Sequence, residues 1–275
     1  MIPSLIIAFR EILEGALIIG IVLGYLNKIG QQQYKRIVWL AVASAVAVSI
    51  IIAVLFAVLA GGFTGQAEMI FEGVTTLIGA VLLTLMIFWM MGQKKISQEI
   101  EANVDKEIKE THTLGLFSLV FISILREGVE TVIFLGSAGL VSKDNNFFGA
   151  IIGIILAIIL GYVLFNGLMK VNLKKFFNIT SILLILFAAG LIAHGLHEFQ
   201  EAGVIPSFIE HVWNINPPLS ASGAYPWFHD QGWLGGILSG LFGYRGDPSL
   251  IEVIGYAGYL MIIFGLYQTK FKKIN

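Results

Sequence analysis

The chain has 275 residues, of which 57% are hydrophobic and 13% charged, with a formal net charge of −1 and a mean hydropathy of +0.85. A soluble domain carries roughly 25% charged residues, so this composition is that of an integral membrane protein. There is no cysteine, which excludes disulfides, thiolate metal sites and Fe–S clusters and leaves oxygen and nitrogen as the only metal ligands.

A hydrocarbon core of about 30 Å needs roughly 20 apolar residues of helix. Seven stretches reach that length: 3–27, 37–60, 68–92, 114–141, 147–169, 177–202 and 249–269. The first begins without a basic region or a small-residue cleavage site, so it is expected to span the membrane rather than to be removed. It contains Arg10-Glu11-Ile12-Leu13-Glu14-Gly15. A charge at the bilayer centre costs about 3 kcal/mol or more, so such residues face a cavity or one another. At about 100° per residue, Arg10 and Glu14 share one face and Glu11 lies beside them.

The second stretch is wholly uncharged, and the third opens with Glu68 and Glu72 one turn apart. The connector 93–113 mixes both signs of charge and is expected to be a solvated helical or flexible link. The fourth stretch carries Arg126-Glu127-Gly128-Val129-Glu130. The sixth closes with His194, His197, Glu198 and Glu201, which fall within about a third of the helix circumference. His194 also fits a buried hydrogen-bonding histidine. Segment 204–248 is rich in Pro, Gly and aromatic residues, including Trp213, Trp227 and Trp233, and is expected at the outer interface. Its piece Trp233–Phe242 suits a short interfacial or re-entrant helix. Glu252, at the mouth of the seventh stretch, is expected to face the helix N-terminal dipole. Glu210, His211, His229 and Asp230 are expected to be surface groups.

Basic residues set the orientation. Lys28, Lys35, Arg36, Lys94, Lys95, Lys106, Lys109, Lys170, Lys174, Lys175, Lys270, Lys272 and Lys273 fall on one side, against Lys143 and Arg245 on the other. The positive-inside rule then puts the N-terminus outside and the C-terminus in the cytoplasm.

The segment from Arg10 to Gly20 aligns with that from Arg126 to Gly136, matching the Arg, both Glu and the final Gly. The copies lie three helices apart and so run in opposite directions. This is the pattern of an inverted-topology repeat, with an ion site at the repeat interface. The expected fold is therefore an all-α polytopic membrane protein. One transmembrane domain over residues 1–275 holds seven helices, as a 3+3 inverted repeat of helices 1–3 and 4–6 followed by helix 7.

Clustered carboxylates repel one another, and a bound cation relieves that repulsion. Glu11, Glu14, Glu127 and Glu130 are expected to form a central metal site, with Arg10 and Arg126 as charge partners. Glu68, Glu72, His197, Glu198 and Glu201 are expected to gather metal at the outer end. Oxygen ligands favour hard ions, and histidine widens the choice toward iron, manganese or zinc.

These residues resemble the high-affinity iron permease family, the fungal ferric permeases and their bacterial relatives. That family carries two R-E-x-x-E motifs on helices 1 and 4 of a seven-helix protein, matched here by Arg10–Glu14 and Arg126–Glu130. The segment from Gly195 to Gly203, and Gly243-Tyr244 with Pro248-Ser249, look like its bacterial branch. The likeness covers essentially the whole chain. It implies iron uptake, with Fe3+ often delivered by a partner oxidase, and no enzymatic activity or resident cofactor in the permease itself. The extracytoplasmic domain that some bacterial members carry before helix 1 is not seen here. A ferroxidase or extracytoplasmic iron-binding partner is thus expected to be a separate chain. The remaining partners are iron and the lipid bilayer, with no nucleic acid, and the location is the cytoplasmic membrane. Three alternatives share the pattern: a transporter of Mn2+ or Zn2+, a membrane metallo-oxidase, and a seven-helix receptor without flux. Helix 7 has no internal Lys, which argues against a retinal-type receptor.

Overall fold

The structure is a computed structural model that describes residues 2–92, 96–109, 113–142, 146–165, 173–219 and 225–271. Its elements are α1 (Ile2–Lys28), a 3-10 turn (Gln32–Tyr34), α2 (Lys35–Gly62), α3 (Gln66–Gly92), α4 (Ile96–Lys109), α5 (Thr113–Ser142), α6 (Asn146–Phe165), α7 (Leu173–Glu201), α8 (Trp233–Phe242) and α9 (Leu250–Phe271). No strand occurs among the described residues. Each of the seven expected stretches is a helix, within a few residues of the expected limits. The end of the fifth, 166–169, lies outside the described residues.

Among the described residues, four helical segments are long and apolar enough to cross a membrane: Gln32–Gly62, Gln66–Phe88, Phe147–Leu164 and Ile179–Glu201, with a shorter apolar run at Leu250–Leu266. The faces they leave uncovered are apolar. Ile50, Val54, Val58, Ile158 and Tyr162 are all more than half exposed. Exposed apolar surface on this scale does not suit water and does suit lipid. α1 and α5 are also long, but their Arg-Glu motifs interrupt the apolar run.

Small residues set the helix crossings. A Cβ on Gly153 of α6 would lie 2.9 Å from the Phe9 nitrogen, and one on Gly161 would lie 3.1 Å from Ala16 Cβ. α1 and α6 therefore run in the same direction in close contact. α2 and α5 pair in the same way, with Gly128 against Ser49 and Gly136 against Phe56. α3 and α7 are antiparallel, since Gly73 meets Gly195 and Phe199 while Gly79 meets Leu191. α1 and α5, which carry the two Arg-Glu motifs, also pack together.

The expected solvated helical or flexible link contains a helix, α4, and one face of that helix is not solvated. Its Ile100, Val104 and Ile108 recur every fourth residue, which gives one apolar stripe. Val104 is fully buried in a cluster with Val22, Leu26, Val38 and Val120. The Tyr25 hydroxyl donates to Asp105 at 2.9 Å. The mixed charge of this segment hid a stripe that is legible only at helical spacing.

α7 ends at Gly203, in the left-handed conformation at φ +71°, where the Val204 N–H donates to the Phe199 carbonyl at 2.9 Å. α8 is a helix over the piece expected to form a short interfacial or re-entrant helix. Its C-terminal Gly243 (φ +65°) abuts Gly190 of α7, where a Cβ would come within 2.6 Å of the Gly243 Cα. Gly190 lies about 16 Å along α7 from Glu201, at 1.5 Å per residue. α8 therefore reaches well below the end of α7, beside an apolar crevice lined by Pro3, Ile7, Leu184, Phe187 and Leu241.

Candidate functional site

Two clusters of ligand-type side chains form among the described residues. The inner one joins α1 to α5. Arg10 is fully buried, its Nε 3.1 Å from Glu14 Oε1 and its Nη1 3.9 Å from Glu11 Oε1. Glu11 and Glu14 are themselves buried. On α5, Arg126 donates to Glu127 Oε1 from Nε at 3.1 Å and from Nη2 at 2.6 Å. The same Nε lies 3.5 Å from Glu130 Oε1. One carboxylate oxygen from each of Glu11, Glu14 and Glu127 lies within 4.8 Å of the others. Glu11 Oε2, Glu127 Oε2 and Glu130 Oε2 are buried and accept no hydrogen bond among the described residues.

Close packing beside each motif brings these groups together. Gly128 follows Glu127 and admits Ser49 of α2, while Gly15 follows Glu14, where a Cβ would lie 3.7 Å from Ile124 Cδ1 of α5. The two copies of the motif are alike in sequence and unlike in surroundings. The Arg10 side chain is 0% exposed and that of Arg126 is 45% exposed.

The second cluster, expected at the outer end, joins α3 to α7. Ligand atoms of Glu72, His194 and Glu198 lie within 4.8 Å of one another. His194 Nε2 is 3.5 Å from Glu198 Oε1. His194 and Glu198 are buried, and Glu72 is half-buried. Glu68, His197 and Glu201 stand outside both clusters. Glu68 and Glu201 are exposed. His197 sits between two carboxylates, with Nε2 3.1 Å from Glu201 and Nδ1 3.5 Å from Glu252. Glu252 is buried at the start of α9, where it accepts the Ser249 N–H at 2.7 Å and pairs with Arg245. A glutamate three residues into a helix that reaches back to the N-cap amide is half of a capping box, in line with a helix-end role. The Ser249 hydroxyl instead donates to Gln200 Oε1 at 2.7 Å, tying α9 to α7.

The sequence reading gave His194 no place among the expected ligands. The signal that distinguishes it from His197 is Gly195, the residue next to it at the α3–α7 crossing.

The iron permease FTR1 family matches residues 1–273 of this chain. The chain belongs to that family. It is a multi-pass membrane transporter of the iron permease class rather than an enzyme. Among its relatives is the ferrous iron permease EfeU of Escherichia coli O6:H1, 31% identical over 269 residues, which cover 94% of this chain and 92% of the relative. The ferrous iron permease EfeU of Yersinia pestis is 32% identical over 267 residues, 95% and 91% of the two chains. An uncharacterized protein of Archaeoglobus fulgidus is 30% identical over 275 residues, 100% and 97% of the two chains. No solved structure matches this chain.

Proposed function

We propose that this chain imports iron across the cytoplasmic membrane, and that the ion crosses through Glu11, Glu14, Glu127 and Glu130. The observation that carries this reading is the meeting of three buried carboxylates from α1 and α5 within ligand distance. Iron with bonds of about 2.1 Å holds its oxygen ligands about 3–4 Å apart, a spacing that small side-chain movements supply here. Carboxylate oxygens without a donor are the groups a passing cation satisfies.

The cargo in this reading is Fe2+, in place of the Fe3+ expected from the fungal resemblance. The name ferrous iron permease, carried by relatives at about this chain's full length, supports the same reading. The exposed Glu68 and Glu201 suit a rim that gathers the ion, with His197 linking Glu201 to Glu252 behind it. A separate extracytoplasmic iron-binding chain remains part of this reading as a delivery partner, whereas a ferroxidase, whose product is Fe3+, goes with the ferric cargo and is set aside with it.

In the same reading residues 1–275 form one permease domain with seven spans, α1, α2, α3, α5, α6, α7 and α9. α1 has 27 residues and α5 has 30, so each is about 40 Å long or more, enough to cross while turning its charges inward. The packing supports the inverted repeat. Exchanging helices 1–3 with helices 4–6 turns the α1–α6 pair into the α5–α2 pair, and it leaves the α1–α5 and α3–α7 pairs unchanged. The Lys and Arg distribution supports an outside N-terminus and a cytoplasmic C-terminus. Cysteines placed at Lys35 and Lys106 of this cysteine-free chain should react only from the cytoplasmic side. Labelling of either by an impermeant reagent in intact cells would reverse the orientation.

The transport reading is tested by uptake into proteoliposomes containing the purified chain, with Fe2+ kept reduced, Fe3+, Mn2+ and Zn2+ offered separately. Fe2+ should accumulate fastest. Faster accumulation of Mn2+ or Zn2+ would give the protein a different cargo, and uptake of Fe3+ alone would reverse the valence.

A further inference from the structure

The α3–α7 crossing places ligand-type side chains side by side. Glu72 precedes Gly73 on α3, and His194 precedes Gly195 on α7. A Cβ on either glycine would come within 3.1 Å of the carbonyl oxygen of the other, so the two backbones touch there. The Thr76 hydroxyl, which donates to the Glu72 carbonyl at 2.8 Å, sits against the place where a Cβ on Gly195 would lie, so only glycine fits there. Glu198, one turn after His194, completes a group of one imidazole and two carboxylates whose ligand atoms lie within 4.8 Å.

This group is far from the inner carboxylates. α2 and α3 form a tight hairpin through 63–65 and α2 runs parallel to α5, so α3 and α5 are antiparallel. The Ser137 hydroxyl of α5 donates to the Thr75 carbonyl of α3 at 3.3 Å, which fixes their register. From that contact Glu72 lies toward one membrane face, while Glu130 and Glu127 lie toward the other. The separation along the axis is about 15–20 Å at 1.5 Å per residue, too far for one ion to bridge.

We propose that Glu72, His194 and Glu198 form a second metal site, which holds a divalent transition-metal ion through one imidazole nitrogen and two carboxylates before the ion reaches the inner site. The relay order rests on the transport reading above; the site itself does not. A mixed nitrogen and oxygen set favours borderline ions such as Fe2+, Mn2+ and Zn2+ over Mg2+ and Ca2+, which take oxygen alone. The inner site offers only oxygen. The outer one thus selects the class of metal, and the inner one supplies the negative charge that draws it inward.

The test uses the purified full chain in detergent with Mn2+ as a paramagnetic probe. The wild type should bind Mn2+ at two places, one showing nitrogen coupling from an imidazole in the spin-echo spectrum. H194Q should lose that coupling, and H197Q should keep it. Glu72→Gln retains the histidine and should weaken the nitrogen-coupled site about tenfold or more, which covers the case in which H194Q folds poorly. Millimolar Ca2+ should not displace the coupled ion. A wild type without nitrogen coupling, or coupling that survives in folded H194Q, would overturn the proposal. The double variant E14Q/E127Q separates the two readings. It should lose the uncoupled Mn2+ and keep the coupled one. Two ions retained there would count against the inner site and leave the outer one standing.

Discussion

Glu14→Gln and Glu127→Gln should each leave the protein inserted and folded, and each should cut iron uptake about tenfold or more, the scale of loss when a metal site is damaged. The amide keeps the size of the carboxylate, and its carbonyl still accepts from Arg10 or Arg126. Burying an amide costs less than burying a carboxylate, so the folded state does not suffer from the change itself. What is lost is a charged ligand, which an ion in transit requires. The competing account makes each motif only a structural ion pair. Breaking a buried pair by removing one partner costs about 3–5 kcal/mol, so that account predicts protein that is unstable or absent. Membrane-inserted protein, thermal stability and iron uptake, measured on the same preparations, separate the two. Stable protein with normal uptake would sink the transport reading.

Arg10→Gln and Arg126→Gln should differ sharply, although the two residues occupy matched places in the repeat. Arg10 is fully buried between Glu11 and Glu14, and its removal leaves two buried carboxylates facing one another. That loss should cost about 3–5 kcal/mol and sharply reduce the amount of folded protein. The Arg126 side chain is 45% exposed, so water already shares in solvating the charges around it. Arg126→Gln should therefore leave folded protein near the wild-type level while impairing uptake. Arg126→Lys should impair uptake as well, because an ammonium cannot hold Glu127 through two nitrogens as the guanidinium does. Thermal unfolding in detergent is the check. Equal melting temperatures for Arg10→Gln and Arg126→Gln would mean that burial does not set the cost.

Much of the helical framework was legible because lipid imposes a simple rule. A membrane helix must be long and apolar, and composition alone shows where such runs lie. The inner cluster was legible for the opposite reason, since Arg10 and Glu14 break that rule and the break occurs twice. Three features were not legible. The docking of α4 depends on Val104, whose value as a core residue appears only once Val22 and Leu26 lie opposite it. The unequal burial of Arg10 and Arg126 comes from the packing around each helix, which the shared R-E-x-x-E pattern does not encode. The choice of His194 over His197 turns on which face of α7 meets α3. Periodicity placed both histidines on a broad polar arc, and Gly195 decides between them by letting the helices touch at that point. A glycine next to a ligand-type residue recurs at Glu14-Gly15, Glu72-Gly73, Glu127-Gly128 and His194-Gly195. In each pair the glycine faces a neighbouring helix and its companion belongs to a cluster.

The most direct measurement of the central claim is anomalous scattering at the iron edge from lipid-grown crystals of the full chain loaded with Fe2+. The account predicts an iron peak bounded by the carboxylates of Glu11, Glu14 and Glu127, with oxygen ligands at about 2.0–2.2 Å. The same crystals made from E14Q/E127Q should lack that peak. Iron bound elsewhere with none between α1 and α5, or a peak that persists in the double variant, would contradict it.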